Sequence, residues 1–157
     1  MTKKIPKISI KVAKEIIDLV KDFAPEYYDK GLIRLQYDND NKSVFEAYYY
    51  TNGKWVSDDD FMITNEELEK YPELQDEYNK LYNLWNNQND KIDELLHRVS
   101  PISKNDQFRF ITISFNKDNI HIDTKIGWDY TYHRYWYYKY LKDYPQFLIN
   151  YAIISKE

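Results

Sequence analysis

The sequence predicts an α+β fold: an antiparallel sheet of about five strands, covered by an N-terminal helix, a long central helix and a short aromatic C-terminal helix. Two observations carry this prediction. Apolar residues recur at helical spacing in two long segments, and alternating segments are joined by short turns, which makes neighbouring strands antiparallel. The 157 residues fit a single domain, residues 1–157. We expect the helices to cover one face of the sheet.

The first predicted element is a helix over residues 9–24. Ser9 is a suitable N-cap, because its hydroxyl can accept a hydrogen bond from a backbone N–H of the first turn. Pro25 ends the helix, since the residue before a proline is driven out of the helical region. The stripe expected to face the core consists of Val12, Ile16, Val20 and Phe23, widened by Ile17 and Leu19.

Three strands are predicted next. A turn of Asp and Asn residues at 38–41 separates the first two. Asn52-Gly53 then predicts a type I′ hairpin turn, because both residues accept positive φ angles. The predicted strands are residues 32–37, 43–50 and 54–56, with Val44, Glu46, Tyr48 and Tyr50 on one face of the second strand, Phe45, Ala47 and Tyr49 on the other, and a loop at 57–60.

The long central helix is the best-defined prediction. Thr64 and Glu67 have capping-box spacing and open a short helix. Pro72 interrupts it and then suits the first turn of the next helix, where a missing N–H does no harm. That helix spans about 38 Å and ends at Ser100-Pro101. Its stripe, which only Gln88 interrupts with a polar residue, is Leu74, Tyr78, Leu81, Trp85, Gln88, Ile92, Leu95 and Val99.

The C-terminal third predicts a second hairpin and then an aromatic helix. Eight of the fourteen residues in 128–141 are aromatic, more than one face of a helix can bury. Some of these rings must therefore pack under other parts of the chain or face a partner. The predicted elements are strands at 107–115 and 120–126, a helix at 131–142, and a sixth strand or docked tail at 146–155. We expect Ile120, Ile122 and Ile126 inward, His121, Asp123 and Lys125 outward, a buried stripe of Tyr132, Tyr135, Trp136 and Tyr140, and Tyr138 outside it.

Charge is unevenly distributed along the chain. Residues 58–94 contain twelve acids and three bases, a net charge of −9, whereas the remaining 14 acids and 19 bases sum to +5. An acidic segment repels a phosphate backbone and attracts a basic partner; the other interpretation is the solvated face of a long helix. There is no cysteine, no signal-like apolar stretch and no membrane-length apolar run. We therefore expect a cytoplasmic protein with no membrane contact.

No arrangement of residues in the sequence indicates catalysis. His121 and Asp123, two apart on a strand, could act as a base with its orienting carboxylate, or could be polar surface residues. His133-Arg134 lacks partners that would complete a nuclease site, and no histidine pair has metal-ligand spacing. We therefore expect a protein that is not an enzyme and has no cofactor or metal. The aromatic block with Arg134, Lys139 and Lys142 could stack nucleic-acid bases, but the acidic segment argues against nucleic acid as partner.

The C-terminal third resembles a known family. The hairpin at 111–115 and 120–123, a loop containing Trp128 and Asp129, and a helix ending in Tyr137-Tyr138-Lys139-Tyr140-Leu141 look like the YezG-like family of immunity proteins, the antitoxins of secreted polymorphic nuclease toxins. The resemblance covers about residues 11–142. The family's acidic, Leu-rich helix and aromatic strand are matched by Leu74, Leu81, Leu84, Trp85 and Leu95, and by Tyr48, Tyr49 and Tyr50.

The resemblance implies an antitoxin that binds and neutralises a cognate toxin domain by stoichiometric inhibition, with no catalytic residues of its own. A nuclease is the leading toxin class, because its phosphate-binding surface is basic and suits an acidic inhibitor. The alternatives are another protein-interaction module, a nucleic-acid-binding protein, or a small nuclease. The candidate partner-binding residues are Asp58, Asp59, Asp60, Glu66, Glu67, Trp128, Tyr130 and Tyr132.

Overall fold

The computed structural model describes residues 8–37, 44–99, 109–126 and 130–141. Within these ranges it contains one five-stranded antiparallel sheet and four α-helices, which confirms the predicted α+β class. The helices are α1 (Ile10–Val20), α2 (Asn65–Lys70), α3 (Gln75–Val99) and α4 (Tyr130–Tyr140). The strands are β1 (Lys30–Tyr37), β2 (Val44–Thr51), β3 (Lys54–Ser57), β4 (Arg109–Asn116) and β5 (Ile120–Ile126), and short 3-10 turns occupy Lys21–Phe23, Asp58–Phe61 and Pro72–Leu74.

The sheet has the strand order β3-β2-β1-β4-β5. Three of its four pairings are hairpins between consecutive strands, and β1 pairs with β4 in the centre. The predicted type I′ turn is confirmed, since Asn52 has a φ of 53° and Gly53 a φ of 78°. The central pairing joins the first three strands of the chain to the last two in one sheet.

Helices cover both faces of the sheet, so the expectation that they cover one face was wrong. On the first face α1 and α3 pack over Ile33, Phe45 and Ile113. On the second face α4 packs over Leu32 and Phe110, among other residues. The reason lies in strand alternation: β1, β2 and β4 each carry large apolar residues on both sides, and each side needs a covering layer.

The N-terminal helix agrees closely with the one predicted from the sequence. The Ser9 hydroxyl accepts a hydrogen bond from the backbone N–H of Val12 at 3.2 Å, as expected of an N-cap. The α-helix ends at Val20, and a 3-10 turn carries the chain to Phe23. The predicted stripe is confirmed as buried core: Val12, Ile16, Val20 and Phe23.

Close packing between two strands depends on Gly31. A Cβ atom at this position would overlap the ring of Phe115, which lies opposite it in the β1–β4 register. The Phe115 ring therefore occupies the space that any other residue at Gly31 would fill. Tyr49 and Tyr28 pack around the same ring at centroid distances of 6.3 and 6.1 Å.

The aromatic helix is rotated from the expected orientation. Trp136 and Leu141 are fully buried, and Tyr137 is 5% exposed. Tyr132 and Tyr140 are half-buried at the edge of this core, whereas Tyr135 is 54% exposed. The prediction that Tyr135 belongs to the buried stripe was therefore wrong, and Tyr137 takes its place. Trp136 sets the orientation of the helix, because its fully buried ring fills the centre of the second face.

Some predictions fall outside the described residues. These are the turn at 38–41, the helix stop at 100–101, the first residues of the strand at 107–115, the loop at 127–129, and the tail at 146–155. Among the described residues, no helix is long and apolar enough to cross a membrane.

Candidate functional site

Asp58, one of the candidate partner-binding acids, is a structural residue. The predicted loop at 57–60 is instead the end of β3 followed by a 3-10 turn, and Asp58 is 3% exposed. Its Oδ1 accepts a hydrogen bond from the backbone N–H of Ala47 at 3.1 Å. Burial, and secondarily the charge of Asp59, raise the pKa of Asp58 from 3.8 to about 7. A carboxylate in this position cannot meet a partner at the surface.

The same strand edge explains why Asn89 is buried. The pairing of β3 with β2 reaches only from Thr51 to Tyr48, so among the described residues the first half of β2 has no strand partner on that side. The Asn89 side chain fills one position there: its Oδ1 accepts from the backbone N–H of Phe45 at 3.1 Å. Asn89 and Asp58 therefore complete the ladder with side-chain acceptors and close an open sheet edge.

The other two acids of the turn reach the surface. Asp60 accepts a hydrogen bond from the backbone N–H of Ser57 at 2.9 Å and forms a capping box with that residue. Asp59 is exposed at the surface. Partial desolvation by the surrounding protein, and secondarily the charge of Glu46, raise the pKa of its carboxyl. Both remain candidates for partner contact, and Asp60 also has a structural role.

Exposed acids and tyrosines lie together on α2 and the first half of α3. Glu66 and Glu67 lie in the first turn of α2, which Thr64 caps by accepting from the Glu67 backbone N–H at 3.1 Å. Tyr71 is 46% exposed and Tyr82 is 48% exposed. We call this the α2–α3 surface; its exposed acids are Glu66, Glu67, Glu69, Glu73, Asp76 and Glu77.

The α2–α3 surface extends beyond the core. Among the described residues, the buried residues of α3 begin at Gln88, and the first α3 side chain that packs against the core of the first sheet face is Leu84. The preceding stretch from Gln75 is about two turns long. There Tyr78 and Tyr82 stack with nearly parallel rings, 6.0 Å apart and at 11°. The predicted stripe is thus core in its second half and only half-buried in its first half.

The aromatic candidates at the start of α4 are only partly described. Trp128 lies outside the described residues, and Tyr130 begins α4 without a described side chain. Tyr132 is half-buried, and its hydroxyl donates to Asp123 Oδ2 at 3.2 Å. Its ring meets Phe110 edge-on at 5.5 Å. Tyr132 therefore anchors α4 to the sheet and exposes only part of its ring.

A row of polar side chains crosses the second sheet face beneath α4. Glu46, Arg34, Thr112 and Asp123 are aligned by register on β2, β1, β4 and β5. Trp136 Nε1 donates to Thr112 Oγ1 at 2.8 Å, which docks the helix on this row. The expectation that Asp123 points outward to solvent was wrong, because α4 covers that face.

Arg34 is fully buried at the centre of this row. Its Nη2 donates to Glu46 Oε1 at 2.7 Å, and Tyr48 donates to Glu46 Oε2 at 2.8 Å. Three rings surround the guanidinium: Trp136 at 4.8 Å, Tyr137 at 5.1 Å and Phe110 at 5.3 Å. Burial lowers the pKa of Arg34, but the Glu46 charge and the neighbouring tyrosines more than offset it. The charge is neutralised internally, so the row holds the fold together and presents no free catalytic base.

The two histidines whose side chains the structure describes, His97 and His121, lie on different elements. His97 Nε2 lies 3.2 Å from Asp93 Oδ1, one turn earlier on α3. His121 is exposed on β5, and the neighbouring Asp123 is engaged by Tyr132. The side chain of His133 lies outside the described set. In the described part of the chain, no group of three or more acidic or histidine side chains could hold a metal ion.

One feature of the second face was missed in the sequence. Lys30, His121 and Lys139 line a cavity of about 300 Å³ beside the C-terminal half of α4. These residues are far apart in the chain, and no motif connects them. Strand register brings Lys30 and His121 together, because Leu32 pairs with Ser114 and Ser114 pairs with His121, and the packing of α4 on the sheet adds Lys139.

Comparison of the chain with protein-family models and with curated proteins found no match.

Proposed function

We propose that this protein is an immunity protein that binds and neutralises a cognate toxin domain by stoichiometric inhibition, in the cytoplasm of the cell that makes it. The observation that carries the proposal is the α2–α3 surface. Residues 64–82 contain six acids and two lysines, and the acids are exposed beside Tyr71 and Tyr82. Tyrosines that are exposed in the free protein and surrounded by charge suit a protein interface, where tyrosine is enriched among the energetically dominant residues.

A basic partner is the chemistry that this surface fits. Six carboxylates along two adjoining helices create a negative field that attracts a positive surface and speeds association. A nuclease is basic around its cleft because it binds phosphates, so a nuclease domain is the proposed toxin class. The resemblance to YezG-like immunity proteins points to the same class of partner.

The folded body and the α2–α3 surface have separate roles in this proposal. The sheet, α1, α4 and the second half of α3 form the body, and beneath α4 Arg34 bonds to Glu46 and Thr112 bonds to Trp136. The first half of α3 contributes less to the core, so its side chains are free to serve recognition. Binding would thus use a rigid helix rather than a flexible loop, which lowers the entropy cost of association.

The decisive experiment is rescue. A candidate toxin domain, sought among the neighbouring open reading frames, would be expressed in a susceptible strain with and without the protein, and the purified pair would be examined by light scattering. We expect restored growth, a complex of fixed stoichiometry and loss of toxin activity. Growth arrest despite comparable expression of the protein would contradict the proposal.

A parallel assay separates the rival functions. The purified protein alone would be incubated with DNA and RNA substrates and with a labelled oligonucleotide at physiological salt. The proposal expects no cleavage, since the protein acts on the toxin. Cleavage that His121→Ala abolishes would replace the proposal with a small nuclease.

A further inference from the structure

The cavity on the second sheet face combines positive charge with aromatic walls. Lys30 on β1 and Trp55 on β3 lie in one row across the sheet, because each pairs with Tyr50 on β2. The Lys30 ammonium lies 4.8 Å from the centre of the Tyr50 ring and 5.4 Å from that of Trp55. Lys139 on α4 borders the cavity from above, with Tyr140 beside it.

The described residues that line the cavity include two lysines and a histidine but no carboxylate. Lys139 remains charged, since the neighbouring Tyr140 and, to a smaller extent, Asp123 raise its pKa. The nearest acid of the polar row, Asp123, accepts a hydrogen bond from Tyr132. The cavity therefore has an excess of positive charge within a protein whose net charge is −4. Such a local reversal of sign favours an anion there.

The volume of the cavity indicates a ligand larger than a bare ion. About 300 Å³ equals the volume of roughly ten liquid waters, and a phosphate alone would leave most of it empty. It is also at the lower limit of small-molecule sites. The ammonium groups of Lys30 and Lys139 each lie over one of the aromatic rings, so a flat ring would fill the remainder beside them, in contact with Trp55 and Tyr140. Polar groups at the floor, including Ser114 and Asn116, can donate hydrogen bonds to a ligand.

We propose that this cavity binds a nucleoside monophosphate, with the phosphate between Lys30, His121 and Lys139 and the base against the aromatic wall. A phosphate attached to a nucleoside occurs both in a free nucleotide and at the 5′-phosphorylated end of a nucleic-acid strand. The site lies on the face covered by α4, whereas the proposed toxin contact lies on α2 and α3. The inference therefore does not depend on the proposed function.

The test is calorimetric titration of the whole protein with AMP and UMP. Adenosine and inorganic phosphate are the partial ligands, and the Trp fluorescence of the protein gives a second readout. The variants are Lys30→Met and Lys139→Met, which keep the apolar stem and remove the charge. Lys11→Met, an exposed lysine on α1 outside the cavity, is the matched control.

We expect AMP or UMP to bind more tightly than adenosine or phosphate. Each cavity variant should weaken binding by about tenfold or more, the effect of losing one charge-assisted hydrogen bond, and Lys11→Met should not change it. Thermal unfolding of each variant checks that the fold is intact. Adenosine binding as tightly as AMP, equal losses in the control variant, or no binding of either nucleotide would overturn the proposal.

A second titration distinguishes the two sources of the ligand. A short oligonucleotide with a 5′-phosphate would be compared with the same strand bearing a 5′-hydroxyl. Tighter binding of the phosphorylated strand, sensitive to Lys30→Met, assigns the cavity to strand ends. Binding of mononucleotides alone assigns it to free nucleotides. Equal binding of both strands, insensitive to Lys30→Met, would count against a phosphate-recognising cavity.

Discussion

Arg34 and Glu46 form an ion pair of unequal burial: the arginine side chain is 0% exposed, the glutamate side chain is 30% exposed, and 2.7 Å separates Nη2 from Oε1. Breaking a buried pair is costly when it leaves a charge without a partner in a dry environment, about 3–5 kcal/mol. The two ways of breaking this pair are therefore not equivalent. Glu46 can be hydrated when its partner is removed, whereas Arg34 cannot.

The first prediction follows from this asymmetry. Glu46→Ala should destabilise the protein more than Arg34→Met, because the former leaves a buried guanidinium and also removes the acceptor of the Tyr48 hydroxyl. We expect a loss of about 3–5 kcal/mol for Glu46→Ala, measured by urea unfolding, and a smaller loss for Arg34→Met. The opposite ranking would mean that the aromatic rings, not Glu46, stabilise the arginine.

The second prediction concerns the bond between α4 and the sheet. Trp136→Phe removes the indole N–H that donates to Thr112 and leaves a small void, so we expect a cost of about 1–3 kcal/mol. Thr112→Val should also destabilise, and the double variant should cost less than the sum of the two. A double-mutant cycle by urea unfolding measures this coupling; strict additivity would show that the bond contributes nothing.

The third prediction concerns pH. Because the pKa of Asp58 in the folded protein is about 7, above its ordinary 3.8, the folded state holds a proton that the unfolded state releases between these values. Stability therefore falls as pH rises from about 4 to about 7. Asp58→Asn keeps an acceptor for Ala47 but cannot ionise. We expect it to gain at most about 4 kcal/mol over the wild type at pH 8, and almost nothing at pH 4.

Comparing the variant with the wild type at each pH separates this gain in stability from the effects of other titrating groups. Urea unfolding at pH 4, 6 and 8 would give the difference in free energy of unfolding. A difference that stays constant with pH would show that Asp58 has the same pKa in the folded and unfolded protein.

The fourth prediction compares two neighbouring polar residues on α3. Asn89→Leu removes the acceptor for the Phe45 N–H and should cost about 1–3 kcal/mol. Gln88→Leu should change stability by less than about 1 kcal/mol. Although it loses the bond from Nε2 to Asp22 at 3.0 Å, it also removes a buried Oε1 that has no partner among the described residues. Thermal and urea unfolding of both variants tests the ranking.

The fifth prediction concerns the α2–α3 surface and a matched pair of tyrosines. Tyr82 on α3 and Tyr138 on α4 are each 48% exposed. Tyr82→Ala should weaken toxin binding by about 10–100-fold, the range of an interface hot spot, and Tyr138→Ala should leave it unchanged. Surface plasmon resonance with the toxin domain measures both. Equal effects of the two substitutions would remove α3 from the interface.

The acids of this surface predict a dependence on salt. Charge attraction between exposed groups is screened over about 8 Å at physiological ionic strength. The association rate should therefore fall steeply between low and physiological salt, and replacing Glu66 and Glu67 by glutamine should flatten that slope while leaving the dissociation rate nearly unchanged. An association rate insensitive to salt would separate recognition from this acidic surface.

The sequence alone determined most of the local structure. Ser9 as N-cap, the Asn52-Gly53 turn, Thr64 as cap and Pro72 at the start of a helix depend on near neighbours, and each was confirmed. Strand alternation likewise placed Phe45 and Tyr48 on opposite faces. These features are readable because backbone preference and side-chain period act over a few residues.

Tertiary structure decided which surfaces are covered. Asp58 and Asn89 are polar residues that look solvent-facing in the sequence. In the structure β3 is short and leaves two N–H groups of β2, those of Phe45 and Ala47, to which Asn89 and Asp58 bind. The rotation of α4, which buries Tyr137 and exposes Tyr135, depends on where Trp136 meets Thr112 across the sheet. The cavity between Lys30, His121 and Lys139 exists only through strand register and the packing of α4 on the sheet. Such relations join residues distant in the chain, so no local pattern encodes them, and only the packed structure determines them.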